Sequence, residues 1–207
     1  MQLTLAWRRV LSRPGLSFIA IVTLALGIGA NTAVFSLIKS VLLEPLPYGN
    51  PDELIMVWRP GNESDQTWLS QREWVEYERS SQSFSHLAAY TDFAANLTDG
   101  AEPERVSAAR VTGNIFATLR VDAAFGRTFT PDDGAPGNSN VVILGYHLWQ
   151  RRFAGASDVL GSSIRVNGIP RTVVGIMPAS FRLPLDYREE RPSELWIPAA
   201  IDKSNAG

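Results

Sequence analysis

The most distinctive feature of the chain is an apolar run without any charged residue near its N-terminus. It extends from Leu16 to Ile38 and lies between Arg13 and Lys39. As a helix it would be about 35 Å long at about 1.5 Å per residue, which is enough to cross a hydrocarbon core of about 30 Å. The sequence stays apolar beyond Lys39, so we predict a transmembrane helix and its extension over 16–43.

Two other structures compete for the same run. A secretory signal peptide has an apolar core of only about 7–15 residues before its cleavage site, and this run is longer. A helix that packs on the core of a water-soluble protein rarely extends more than about 20 residues without a charge, because its other face meets solvent. The pattern therefore favours a membrane span.

The segment before the span predicts a short amphipathic helix at the cytoplasmic membrane surface, over 1–15. Its apolar residues fall on one face, with arginines mostly away from it. Trp7 would lie at headgroup depth, and Arg8, Arg9 and Arg13 would contact anionic lipid. The same four residues would equally suit a docking surface for a cytoplasmic partner protein, and the sequence leaves both roles open.

Charge predicts how the span is oriented. Three arginines precede it, whereas only Lys39 follows it before Glu44. The positive-inside rule places the N-terminus in the cytoplasm and the remainder of the chain outside. In a bacterium this is a single-pass protein of the inner membrane with a periplasmic C-terminal domain.

Small and polar residues recur along the span at a spacing of four. We predict that the two resulting strips pack against other membrane helices, since small side chains let helices approach closely and an asparagine can bond across the contact. The alternative is a helix surrounded by lipid, in which glycine and alanine are simply common. The strips consist of Ala25, Gly29 and Ala33, and of Thr23, Gly27 and Asn31.

From Glu44 onward the pattern is typical of a water-soluble domain. A proline-rich linker ends the helix, and a capping box at Ser70–Glu73 predicts a helix through about Arg79. Asn-Gly at 167–168 separates two alternating apolar runs, which predicts a hairpin with a type I′ turn. Further strands are predicted over 54–58, 87–91, 94–97, 105–111, 141–144 and 195–198, and helices over 114–119 and 147–153.

Strands and helices alternate here without regular βαβ spacing, so the predicted fold class is α+β.

The composition of the chain excludes several classes of function. Residues 1–43 have a net charge of +4 and the remainder −6, which is unlike the concentrated basic face of a nucleic-acid-binding protein. The chain has no cysteine and two distant histidines, so we expect neither thiol chemistry nor a cysteine or histidine metal site.

No group of residues predicts catalysis or a cofactor. Gly27 and Gly29 lie inside an apolar helix with no preceding strand, unlike a nucleotide-binding loop. The run 130–134 lacks the spacing of a calcium loop and predicts a capped turn. The acids Asp186, Glu189 and Glu190 lie among arginines and predict a solvated charged loop rather than an acid–base pair.

Four stretches resemble MacB-like and FtsX-like ABC transporter permeases, most closely the duplicated type described from acidobacteria. The first, TLALGIGANTAVFSLIKSVLLEPLPY, is similar to the first membrane helix and its exit. The others are similar to the periplasmic core domain of that family: EPERVSAARVTGNIFATLRVDAAFGRTFTPDD, VVILGYHLWQRRFAG and IRVNGIPRTVVGIMPASF. The resemblance covers nearly the whole chain in family order.

The resemblance implies one transmembrane helix followed by a mixed α/β periplasmic core domain over 44–207, which we expect to be incomplete. It also implies a non-catalytic permease subunit that couples ATP hydrolysis in the cytoplasm to motion of the periplasmic domain, for export or mechanotransmission. Implied partners are membrane lipid, a separate ATP-binding subunit, other permease helices or a second permease half in a dimer-like assembly, and a periplasmic adaptor.

The chain departs from the family pattern in having a single apolar span and no G-x-x-x-x-G-K-[ST] phosphate loop, so it is not expected to hydrolyse ATP itself. Two alternatives have no family support: a membrane-anchored periplasmic enzyme, and a ligand-binding sensor or adhesion module. An enzyme needs a reactive constellation, and a sensor needs a cytoplasmic output domain.

Overall fold

The structure, a computed structural model, describes residues 14–38, 48–57, 70–99, 102–135, 137–187 and 191–200. The chain divides into two compact units, Met1–Leu46 and Pro47–Gly207. The described residues of the first unit form one helix, α1, from Pro14 to Ile38. The side chains described in it are those of 15, 18, 19 and 21–36, and all of them are exposed.

Among the residues that the structure describes, no helix has both the length and the apolar character needed to cross a membrane. The transmembrane assignment of 16–43 therefore stays a prediction.

Over its described ranges, the second unit contains three further α-helices and seven strands. The helices are α2 (Gln71–Ser80), α3 (Ile115–Leu119) and α4 (Tyr146–Phe153). The strands are β1 (Tyr90–Leu97), β2 (Glu104–Val111), β3 (Phe125–Gly126), β4 (Val141–Leu144), β5 (Ser163–Val166), β6 (Ile169–Ile176) and β7 (Leu195–Pro198). Short 3-10 helices lie at Pro51–Glu53, Pro131–Gly134, Ser157–Val159 and Pro184–Tyr187.

The seven strands form one mixed sheet in the order β3-β6-β4-β7-β2-β1-β5. Because β5 also pairs with β6, six of the strands close into a ring. The seventh strand, β3, pairs with the C-terminal end of β6. The closure between β1 and β5 consists of one residue pair, Leu97 with Val166. Strands β1, β4 and β6 begin at the same end of the ring, which we name the arginine end; the opposite end, beside α4, is the helix end.

Apolar side chains cover both faces of the central strands. The inner face holds an aliphatic cluster from β1, β2 and β4–β7, which Leu148 and Trp149 of α4 complete. The outer face holds an aromatic cluster in which Phe116 contacts Phe129, Phe181 and Trp196 at ring-centroid distances of 5.6, 5.6 and 6.2 Å. All four residues of β7 are buried, as expected of a strand enclosed on both sides.

Most of the predicted elements are confirmed. Ser70 and Glu73 form the predicted capping box: the Ser70 amide donates to the Glu73 carboxylate at 2.9 Å, and the Glu73 amide donates to the Ser70 hydroxyl at 3.3 Å. Asn167 and Gly168 have φ values of 53° and 80°, which a type I′ turn requires at both central positions. Strands β4 and β7 have the predicted bounds.

Two strand predictions were wrong. The predicted strands over 87–91 and 94–97 are one continuous strand, β1, which pairs with β2 along its whole length. The run predicted as a strand from 54 pairs with no other strand over its described residues 54–57, and Ile55, Met56 and Val57 are exposed. A β-rich composition does not make a strand where no neighbouring strand offers backbone partners.

The prediction that Asp186 lies in a solvated charged loop was also wrong. Instead of lying in a solvated loop it is buried, with only 3% of its surface exposed. Its carboxylate accepts hydrogen bonds from the Leu183 amide at 2.9 Å and from the Ser193 amide and hydroxyl at 3.0 and 3.1 Å. One side chain thus closes the loop between β6 and β7 by satisfying backbone donors that would otherwise be buried and unpaired.

We expect the substitution Asp186→Asn to lower the free energy of unfolding by about 1–3 kcal/mol. In asparagine an NH2 group replaces one of the two carboxylate oxygens, so a donor faces either the Leu183 amide or the Ser193 amide and one of these two bonds is lost. Denaturant unfolding of the full chain in neutral detergent, followed by tryptophan fluorescence, measures the change. Asp132→Asn is the matched control, since Asp132 is exposed, and should change stability by no more than about 0.5 kcal/mol. Equal effects of the two substitutions would contradict the role given to Asp186.

Candidate functional site

The first described residue of the second unit, Tyr48, is firmly attached to the folded domain. Only 6% of its surface is exposed, and its ring belongs to the outer aromatic cluster. Its hydroxyl donates a hydrogen bond to the Arg182 carbonyl at 2.8 Å. Burial raises the pKa of Tyr48 well above its ordinary value, and the neighbouring Tyr187, Tyr90 and Asp186 raise it further. The hydroxyl is therefore a permanent donor.

The next residues attach the same segment to the end of α3. The Gly49 amide donates to the Leu119 carbonyl at 3.2 Å. A Cβ atom at Gly49 would lie 2.5 Å from the Cβ atom of Arg120, so only glycine permits this approach. Arg120 ends the helix in the left-handed region and forms an ion pair with Glu53 at 3.2 Å. We name Tyr48, Gly49, Glu53 and Arg120 the N-terminal anchor.

The loop that receives Tyr48 is itself fixed to the sheet. The Leu185 amide donates to the Tyr90 hydroxyl of β1 at 3.0 Å. Burial raises the pKa of Tyr90, and this exceeds the opposing effect of the Leu185 bond. Together with Asp186, this contact makes the loop a rigid receptor for the N-terminal anchor.

A second polar site lies at the helix end of the ring, where two arginines of α4 meet two glutamates. Arg151 donates to Glu194 at 2.8 and 3.0 Å and to Glu104 at 2.7 Å. Arg152 donates to the second oxygen of Glu104 at 3.1 Å and to the backbone carbonyl of Asp99. The network therefore joins α4 to the starts of β2 and β7.

The electrostatics of this network favour fixed charges. Burial tends to raise the pKa of Glu104, but hydrogen bonds from Arg151 and Arg152 outweigh it, so the pKa lies below its ordinary value. Bonds to Glu194 and Glu104 raise the pKa of Arg151, although burial partly opposes this. Neither group exchanges a proton near neutral pH, so the network is suited to holding elements together and not to general acid–base catalysis.

An open groove lies beside the network and is lined by Asp99, Glu102, Glu104, Arg151, Arg152 and Asp158, together with apolar and serine side chains. Four of these six residues are acids, and the two arginines are already bonded to protein oxygens. Within the described ranges, no cluster of histidine, aspartate or glutamate has the arrangement of a metal site.

The predicted helix-packing residues are all on α1. Ala25, Gly29 and Ala33 are exposed, and so are Thr23, Gly27 and Asn31. A Cβ atom at Gly27 or Gly29 would meet nothing within 4 Å, while the Thr23 hydroxyl donates to the Ile19 carbonyl within the helix. Their packing against other helices stays a prediction. Trp7, Arg8, Arg9 and Arg13 lie outside the described residues.

The turn at 130–134 is confirmed as a capped turn. Asp133 accepts bonds from the Thr130 amide at 2.8 Å and from both terminal nitrogens of Arg127 at 2.6 and 3.0 Å. Burial tends to raise the pKa of Asp133, but these bonds lower it below its ordinary value. The sequence pattern does not predict the N-terminal anchor. The segment PLPYGN after the span predicts a linker, because its prolines and glycine are typical of one.

The chain is similar to three solved domains at low identity. The extracellular domain of the noncanonic ABC-type transporter YknZ from Gram-positive bacteria is 16% identical, with a TM-score of 0.49 over 64% of each chain. The periplasmic region of MacB from Actinobacillus actinomycetemcomitans is 16% identical, with a TM-score of 0.49 over 67% of this chain and 69% of that one. A domain of a permease protein from Porphyromonas gingivalis is 14% identical, with a TM-score of 0.39 over 59% and 49%. No curated protein matches the sequence.

The family model described as the MacB-like periplasmic core domain matches residues 17–205. This match covers most of the chain, including the stretches that the resemblance was based on. The chain belongs to the family of MacB-like periplasmic core domains.

Proposed function

We propose that this chain is a non-catalytic permease subunit of an ATP-driven ABC export or mechanotransmission complex. The observation that carries the proposal is the match to the MacB-like periplasmic core domain over 17–205. The matched family belongs to permeases of ABC-type transporters. We assign ATP hydrolysis to a separate subunit, because this sequence has no G-x-x-x-x-G-K-[ST] phosphate loop. The expected partners are that ATP-binding subunit, further permease helices or a second permease half, and a periplasmic adaptor.

The proposal places 16–43 across the bacterial inner membrane, with the N-terminus in the cytoplasm and 44–207 in the periplasm. Support comes from the absence of charge between Arg13 and Lys39, from the helical backbone over Pro14–Ile38, and from the arginines before it. The exposed apolar side chains of α1 suit a lipid or helix-packing environment.

The proposal gives the N-terminal anchor a mechanical role. A domain that responds to a moving membrane helix needs a stiff attachment directly after the linker. Tyr48 provides one through a buried ring and a 2.8 Å hydrogen bond to Arg182, and Gly49 and Glu53 add contacts to the end of α3. The glutamate–arginine network at the helix end adds stiffness, since it joins α4 to β2 and β7.

The complex itself can be tested by isolating the full chain from its native membranes in a mild neutral detergent. We expect an ATP-binding subunit to co-purify in stoichiometric amount. Triple replacement of Ala25, Gly29 and Ala33 by leucine should reduce recovery of other permease helices at least about tenfold, because a bulky strip prevents close helix approach. Recovery of the chain alone, as a monomer without an ATP-binding subunit, would contradict the proposal.

Topology is testable because the chain has no cysteine. We expect a membrane-impermeant maleimide to label Asp158→Cys in intact cells and to label Ser12→Cys only after lysis. The two single-cysteine variants are matched controls for each other, and Asp158 is exposed in the folded domain. Labelling of Ser12→Cys but not of Asp158→Cys in intact cells would refute the orientation.

The N-terminal anchor predicts a specific pattern of hydrogen exchange. Tyr48→Ala should accelerate exchange of the Gly49, Glu53 and Leu54 amides at least about tenfold, equivalent to about 1.4 kcal/mol, because both the ring packing and the bond to Arg182 are lost. Tyr48→Phe keeps the packing and should have a smaller effect. Tyr77→Ala, at a tyrosine that is 43% exposed, should leave these amides unchanged. Unaltered exchange in Tyr48→Ala would rule out the anchor.

A further inference from the structure

Arg171 is an unusual buried cation. It lies on β6 with 9% of its surface exposed, and its cross-strand partner Ile164 belongs to the inner cluster. Among the described residues its guanidinium donates only to the Ser139 carbonyl, and its buried Nε has no hydrogen-bond partner. A buried guanidinium without a carboxylate leaves both its charge and one of its donors uncompensated.

A second arginine faces the same region. Arg110 of β2 is on the inner side of the ring, two residues beyond the buried Ala108, and its Cζ lies 4.8 Å from the centre of the Phe93 ring. Arg110 is next to the last residue of β2 and Arg171 is the third residue of β6, so both lie at the arginine end of the ring. Burial lowers the pKa of Arg171, and the positive charge of Arg110 lowers it further. Both remain charged, because an arginine does not lose its proton in a protein.

Arg171 is buried and has no ion pair among the described residues, whereas Arg105, Arg110, Arg182 and Arg191, which also have none, are exposed. Five other arginines form ion pairs. Each of them contacts a carboxylate within 4 Å: Arg120, Arg127, Arg151, Arg152 and Arg165. Arg110 and Arg171 have no such contact among the described residues, although they repel each other. Two guanidiniums on the inner side of one end of the ring, one of them with a buried Nε that has no partner, can bind a planar or tetrahedral oxyanion through charge-assisted and often bidentate hydrogen bonds.

We propose that Arg110 and Arg171 form a binding site for an oxyanion of the carboxylate or phosphate class at the arginine end of the closed sheet. The anion accepts hydrogen bonds from both guanidiniums and neutralises the repulsion between them. Phe93 positions Arg110 through the cation–π contact, and the Ser139 carbonyl positions Arg171. This site does not depend on the permease role proposed above.

The site is tested by calorimetric titration of the full chain, in neutral detergent and at low ionic strength, with inorganic phosphate and separately with succinate. We expect saturable binding of at least one of them, weakened at least about tenfold in Arg110→Gln. Arg105→Gln is the matched control: it removes the same charge from the same strand, but its side chain is exposed on the other face. It should change the dissociation constant by less than about twofold.

Binding of phosphate alone assigns the site to phosphate groups, and binding of succinate as well extends it to carboxylates. Arg171→Gln should abolish binding, and if that variant does not fold, Arg110→Gln and Phe93→Leu test the same site. The proposal is overturned if neither anion binds the unmodified chain saturably. It is also overturned if Arg105→Gln and Arg110→Gln weaken binding equally, since general charge attraction would then explain the result.

Discussion

The structure depends on burying both faces of its central strands at once. Strands β4 and β7 carry apolar residues on both faces, and neither face meets solvent, because the closed ring covers one and α3 with the 181–187 loop covers the other. A strand buried on two sides has nowhere to place a charge except at its ends. The polar chemistry of this domain is accordingly concentrated at the two ends of the ring and in the loop that follows β6.

The two ends of the ring differ in whether their arginines are paired with carboxylates. At the helix end, Arg151 and Arg152 are matched by Glu104 and Glu194, so the charges cancel and the contacts stiffen the domain. At the arginine end, Arg110 and Arg171 lack such partners among the described residues, and this asymmetry is the basis of the oxyanion site.

Membership of the MacB-like periplasmic core domain family gives these features a common context. The proposed permease role requires that motion of a membrane helix reach the folded domain without loss. The N-terminal anchor meets this requirement with few residues, since Tyr48 joins the outer aromatic cluster and Gly49 reaches the end of α3. Its stiffness derives from Asp186, which holds the receiving loop in place through three hydrogen bonds.

The sequence by itself determined the local structure and the family. Three features depend only on residues that are close in the sequence, so the sequence pattern predicts them. They are the Ser70 capping box, the Asn167–Gly168 turn and the continuous apolar runs of β4 and β7. The four stretches that resemble MacB-like permeases similarly indicated the family, and the match to the family model confirms it.

Only the tertiary structure decided which polar residues are buried and what they contact. Asp186 lies among arginines in the sequence, yet the folded loop between β6 and β7 buries it. Tyr48 donates to the Arg182 carbonyl of that loop across 134 residues of sequence, which no local pattern predicts. Arg110 and Arg171 are 61 residues apart and on strands that are not neighbours in the sheet, so ring closure alone brings them together. Local propensity acts over a few residues, whereas burial and electrostatic pairing depend on contacts between distant segments, and a sequence pattern does not encode those contacts directly.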